Sequence, residues 1–111
     1  MTAIVNWPLG NGESLAFEVY DRNEGWSNAP GLYIFSYQKG AYWYALYIGQ
    51  ADSFQQRLPN HERLQEAVRN GATHIHAVVV RQQSDRDKWE RMLIQTHQPP
   101  MNVQHRGLGI R

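Results

Sequence analysis

Residues 31–37 and 42–49 are dense in β-branched and aromatic side chains, and Gln38-Lys39-Gly40 lies between them. Side chains of this kind fit a pleated, half-buried surface, and a short polar segment ending in glycine supplies a turn, so the two stretches predict an antiparallel hairpin. A hairpin with this much apolar surface must be covered, and the rest of the chain has to provide the cover.

The flanking sequence offers suitable parts. Residues 15–20 alternate as a half-buried strand does, and 23–30, rich in Gly, Asn, Ser and Pro, read as a loop. Residues 53–70 read as a helix interrupted near Pro59, with Leu64, Ala67 and Val68 on one side and Asn70-Gly71 as its stop. Residues 74–81 form the third core strand. Ser84 is positioned to cap a helix running through Gln98, whose Trp89, Met92, Leu93 and Thr96 fall on one stripe before Pro99-Pro100 ends it. The expected class is α/β of the α+β type: a three-stranded antiparallel sheet flanked by helices, with an extra N-terminal strand. The first dozen residues and the tail from Gly107 carry the weakest structural signal.

Composition sets limits on the function. With 111 residues and 41% hydrophobic content the chain can bury one modest core, so residues 1–111 are expected to form a single domain. There is no cysteine, which excludes disulfides and thiolate metal sites and fits a reducing compartment. Met1 to Gly10 lacks a basic leader, and no window approaches the roughly 18 apolar residues of a membrane span, so a cytoplasmic protein with no membrane partner is expected. Net charge is only +1, but it is unevenly placed. Residues 1–56 hold two basic and five acidic side chains; residues 57–111 hold nine basic and five acidic ones, with all five histidines. A phosphate-facing surface would be built from the second half, although a solvated face accounts for the same pattern. No Gly-rich loop followed by Lys-Ser/Thr is present, which argues against nucleotide hydrolysis.

Several polar residues sit at element ends or on helix faces: Tyr33, Tyr47, Arg57, His61, Glu90 and Asn102. Each has an ordinary structural explanation. Tyr33 and Tyr47 suit a strand as buried rings with a hydrogen-bonded hydroxyl, Arg57 a helix surface, and Glu90 an ion pair with Arg86 one turn earlier. His74 and His76 share a strand face but have no third ligand in view. Tyr37, Tyr42, Trp43 and Tyr44 are good strand formers that could also stack on unpaired bases.

Taken together, Gly31-Leu32-Tyr33, Tyr47-Ile48-Gly49, Arg57 with His61 four residues on, Glu90 and Asn102 resemble the GIY-YIG nuclease family in order and spacing. The resemblance runs over residues 31–102, with 1–30 as an N-terminal extension, and is nearest to small standalone bacterial-type members. Leu32 replaces the usual isoleucine, a volume-conserving change, and the hairpin is slightly longer than usual.

The resemblance implies a metal-dependent endonuclease that hydrolyses phosphodiester bonds, in DNA before RNA. Tyr33, Tyr47 and His61 would assist water attack, and Arg57 would stabilise the phosphate. Glu90 would hold one Mg²⁺ or Mn²⁺, with Gly31, Gly49 and Asn102 in supporting roles. Arg57 and Arg63 would contact the nucleic acid, and a protein partner could confer specificity. The alternative is a catalytically silent module on the same fold that binds nucleic acid or protein.

Overall fold

Leu32, Tyr33, Ile34 and Phe35 are all 0–1% exposed, so the strand they form is covered on both faces. A computed structural model describes residues 3–102 and shows what covers it. The elements are β1 (Ile4–Pro8), β2 (Ser14–Asp21), β3 (Gly31–Lys39), β4 (Tyr42–Ala51), α1 (Phe54–Arg57), α2 (Leu64–Arg69), β5 (His74–Val79) and α3 (Gln83–His97), followed by a 3-10 turn at Pro100–Asn102.

The strands form one antiparallel sheet in the order β1-β2-β5-β3-β4, so among the described residues it has five strands rather than the expected three with one extra. The predicted extra strand is β2. The additional one, β1, comes from the weakly patterned N-terminus and pairs Ile4 with Glu18 through Pro8 with Ser14. It was hard to read because it is an edge strand in which only Trp7 is buried, and its Pro8 lies where a missing amide is tolerated.

Each sheet face has its own core. On one face Tyr33, Phe35, Ile75 and Ala77 pack with Phe54, Leu58, Ala67 and Met101. On the other, Phe17, Leu32, Ile34 and Ile48 pack with Trp7, Leu9, Val80 and Leu93 of α3. Burial on both faces explains why β3 reads as an unbroken apolar run instead of an alternating one.

Two helical expectations are corrected. The segment 53–70 is two short helices: Ser53 caps α1 by accepting from the Gln56 amide at 3.3 Å, and α2 begins only at Leu64. Pro59 has no amide to continue the ladder, so His61 lies in the connection rather than on a helix with Arg57. Ser84 does not cap α3, which starts at Gln83 with Gln82 as an N-cap that makes no side-chain bond. The buried Arg86 instead ties the start of α3 to the end of β5, donating to the carbonyls of Val80 and Arg81 at 2.9 and 3.1 Å. Thr96 ends the stripe of α3, and its hydroxyl donates to the Leu9 carbonyl at 3.0 Å.

His76 packs inside the α3 face at 0% exposure, while His74 is half-buried. Trp7 Nε1 donates to His76 Nδ1 at 2.9 Å, so the neutral ring carries its proton on Nε2, which has no hydrogen-bond partner and lies near the Trp43 ring. Burial holds this imidazole down to about 4, well below its ordinary value. His61, also buried, is pushed down to about 4 by burial and then by the Arg57 charge. Both rings are therefore neutral in the folded protein, whereas in the unfolded chain they protonate near 6.5. Between these values the unfolded state binds more protons, so stability falls as pH drops from about 6.5 towards 4 and is level above that window. Denaturant unfolding at pH 7.5 and pH 5 should show a lower midpoint at pH 5. The His76→Phe variant should lose part of that dependence, and an unchanged pH slope in it would remove His76 from the account.

Candidate functional site

The site assembles at the edge of the sheet. Tyr33 on β3 and Tyr47 on β4 lie on the same face with ring centroids 6.4 Å apart, and the register pairs Tyr33 with Gly49 and Phe35 with Tyr47. A Cβ on Gly49 would fall inside the Tyr33 phenol, so the glycine makes room for that ring; one on Gly31 would overlap the Val78 carbonyl and the Phe54 ring. Both glycines thus support the site through packing. The Gly49 neighbour is a side chain of the motif itself and not a second backbone.

His61 closes over these rings from the α1–α2 connection, edge-on to Tyr33, Phe35 and Tyr47 at 5.3, 5.0 and 5.5 Å. Its Nε2 is 2.6 Å from the Tyr33 hydroxyl, and its Nδ1 accepts from the Arg63 amide at 3.0 Å. An Nδ1 that accepts from an amide leaves the proton of the neutral ring on Nε2, so His61 donates to the Tyr33 oxygen. The Tyr33 hydroxyl hydrogen is then available to another acceptor. In this tautomer His61 does not take a proton from Tyr33 and meets the phenol oxygen only as a donor.

Burial raises the pKa of both phenols and so makes them weaker acids. For Tyr33 the neighbouring Tyr47 adds to the increase and Arg57 opposes it, while for Tyr47 Arg63 and Arg57 oppose it. Both are neutral phenols around pH 7, and only a further positive charge would bring Tyr33 towards ionisation.

The arginines are held by partners. Arg57 makes a two-pronged ion pair with Glu62, at 2.7 and 3.0 Å, which holds the Glu62 carboxyl down to about 2. Arg63 lies over the Tyr47 ring at 5.2 Å, binds Glu66 at 2.9 Å and donates to the Met101 carbonyl at 3.0 Å. It is therefore part of the wall of the site as well as a basic side chain on its rim.

Glu90 approaches from α3, on the other side of the sheet. It shares with Tyr47 and Asn102 an open cleft past the β4 edge, which Ile48, Asp87 and Arg91 also line. Its carboxylate accepts from Gln50 Nε2 at 2.8 Å, and the same amide reaches Asp87 at 2.9 Å. Arg86, the ion-pair alternative for Glu90, directs its guanidinium to Asp52 at 3.1 Å and Gln83 at 2.8 Å. The Glu90 charge is felt by both tyrosines, raising each. Asn102 is 2% exposed and bonds twice to one residue of β4, accepting from the Ile48 amide at 3.0 Å and donating to its carbonyl at 3.1 Å. It ties the turn after α3 to the strand that carries Tyr47.

Gln50 and Glu62 were not singled out from the sequence. Gln50 directly follows the Tyr47-Ile48-Gly49 triplet and Glu62 directly follows His61, but only the fold shows what they hold.

No family model matches the sequence, and no curated protein does. Among solved structures, the GIY-YIG N-terminal endonuclease domain of UvrC from Thermotoga maritima is similar. That structure is an asparagine-to-alanine point mutant bound to its catalytic divalent cation. The likeness has a TM-score of 0.55 and 28% identity over 68% of this chain and 83% of that one. The fold is GIY-YIG-like. Within this fold Tyr33, Tyr47, His61 and Arg57 adjoin on one face and Glu90 reaches the same edge from the other, while no group of three or more His, Asp or Glu capable of holding a metal occurs among the described residues. No described helix is long and apolar enough to cross a membrane.

Proposed function

We propose that the protein is a metal-dependent endonuclease that hydrolyses nucleic-acid phosphodiesters, DNA in the first instance. Residues 31–102 would carry the chemistry, and 1–30 would extend the same sheet within a single domain. The observation that carries this reading is the Tyr33–His61 contact packed against Tyr47, which itself lines the cleft containing Glu90. The likeness to an endonuclease domain supports it.

In this reading Glu90 holds one Mg²⁺ or Mn²⁺. The residues present fit such an ion: a single carboxylate is a hard oxygen donor, and hard cations of this size keep several waters and take the substrate phosphate as a further ligand. When bound, the ion supplies positive charge at the phosphate and makes bound water more acidic. The chain's own groups orient the reactants. Tyr33 loses its hydroxyl proton to solvent, the His61 Nε2–H and the Arg57 charge stabilising the phenolate, and the phenolate oxygen accepts a proton from the attacking water as the water oxygen bonds to phosphorus; the ester oxygen that leaves takes a proton from solvent. Tyr47 positions the phosphate beside it. Arg57 stabilises the charge on the phosphoryl oxygens, and Arg63 contributes a nucleic-acid contact at the rim.

The test is incubation of purified protein with labelled linear, branched and single-stranded DNA and RNA in Mg²⁺, Mn²⁺ or EDTA. Metal-dependent internal cleavage is expected; binding without cleavage under every condition would favour the silent-module reading.

Glu62 makes a more particular prediction. Its carboxylate occupies both prongs of the Arg57 guanidinium, so a phosphate must displace it. Glu62→Gln should strengthen nucleic-acid binding by about two- to fivefold, the scale of an exposed ion pair. Unchanged affinity, measured by fluorescence anisotropy, would show that Glu62 and phosphate do not compete.

A further inference from the structure

Along β3, Tyr33, Phe35, Tyr37 and Lys39 alternate onto one face, and the register sets Gly49, Tyr47, Tyr44 and Tyr42 of β4 opposite them. The first two rungs belong to the candidate site. The next rung outward is an aromatic pair: Tyr37 and Tyr44 stack with centroids 5.3 Å apart and planes 19° from parallel. Tyr37 rests on the buried cluster, whereas Tyr44 is 43% exposed. Strand rise places this pair about 13 Å from Tyr33, with Lys39 two residues further out on the same face. The register shift between Phe35 and Ser36 leaves Leu46 as an extra residue on β4, and a bulge of this kind increases the local twist and bends the ribbon between the site and the pair.

We propose that the Tyr37–Tyr44 pair is a stacking platform for an unpaired nucleobase, and that the substrate carries a single-stranded stretch beside the cleaved phosphate. This substrate class rests on the nuclease reading above and refines it. Inside a duplex both faces of a base are covered by its neighbours in the stack, so an exposed tyrosine ring at this position has a face to meet only where the strand is unstacked. Cross-strand aromatic pairs also stabilise hairpins. That role alone would not require the outer ring to stay exposed, in line with the site, with a lysine beyond it for the strand's phosphates.

The test compares two DNA probes labelled with 2-aminopurine: a forked duplex with the label in its unpaired arm, and a fully paired duplex of the same sequence. Binding is measured in EDTA, so no cleavage is involved. The fork label should be quenched on binding. Tyr44→Ala should weaken fork binding about tenfold and duplex binding by no more than about twofold, while Tyr44→Trp keeps wild-type affinity. The unfolding midpoint of each variant monitors the fold, and the Trp variant carries the test if the Ala variant is destabilised: quenching must persist with a ring of either kind. Equal losses on both probes, or no loss on the fork, would overturn the inference. Absence of binding to either probe would overturn it together with any nucleic-acid function. Fork-selective binding without cleavage in Mg²⁺ or Mn²⁺ would leave the platform standing and remove the nuclease reading instead.

Discussion

Glu90→Gln is expected to lower metal-dependent cleavage by about 10³-fold or more, at the upper end of what removing one preorganised stabiliser of transition-state charge costs. The substitution is close to isosteric. Its amide oxygen can still accept from Gln50 Nε2, so the contact between α3 and β4 is retained and the unfolding midpoint should move little. What is lost is the negative charge, and with it the affinity of the cleft for a divalent cation. Single-turnover rates across an Mg²⁺ or Mn²⁺ titration provide the measurement. Full activity in the variant, or in wild-type protein with EDTA, would remove Glu90 as the metal carboxylate.

Arg57→Ala should lower the single-turnover rate by about 10²-fold while changing affinity much less, because its guanidinium is assigned to charge that grows in the transition state. The ground state already provides a partner for it. Glu62 is an exposed side chain, so losing Arg57 leaves no buried charge unpaired and the fold should persist. Arg57→Lys should recover only part of the rate, since an ammonium cannot reproduce the two-pronged geometry. Parallel losses in affinity and rate would instead make Arg57 a ground-state phosphate contact.

The hairpin and β5 were legible as runs of β-branched and aromatic side chains, and β2 and α3 because their side chains repeat with the period of their element. Residues 53–70 were harder to read: Leu64, Ala67 and Val68 are helical in spacing, but Pro59 divides the segment, and it is this division that frees His61 to turn back over Tyr33. β1 was missed because an edge strand buries little, and the Ser84 cap failed because Arg86 anchors the helix start by another route. In the site, the sequence pattern picked out side chains that the fold brings near one another, but their partners could not be read. Gln50 beneath Glu90, Glu62 across Arg57 and the Arg63 amide on His61 Nδ1 are meetings made by the fold, and no local pattern encodes them.

Asn102 has an effect on a larger scale than the site. β4 is the outer strand of the sheet, and an outer strand offers a row of amides and carbonyls to which a neighbouring molecule can add its own. By meeting both backbone groups of Ile48, the Asn102 side chain acts as one residue of an absent sixth strand. The segment carrying Tyr47 is thereby denied to other copies of the chain, so this stretch of the sheet's margin is kept from becoming a seam for self-association.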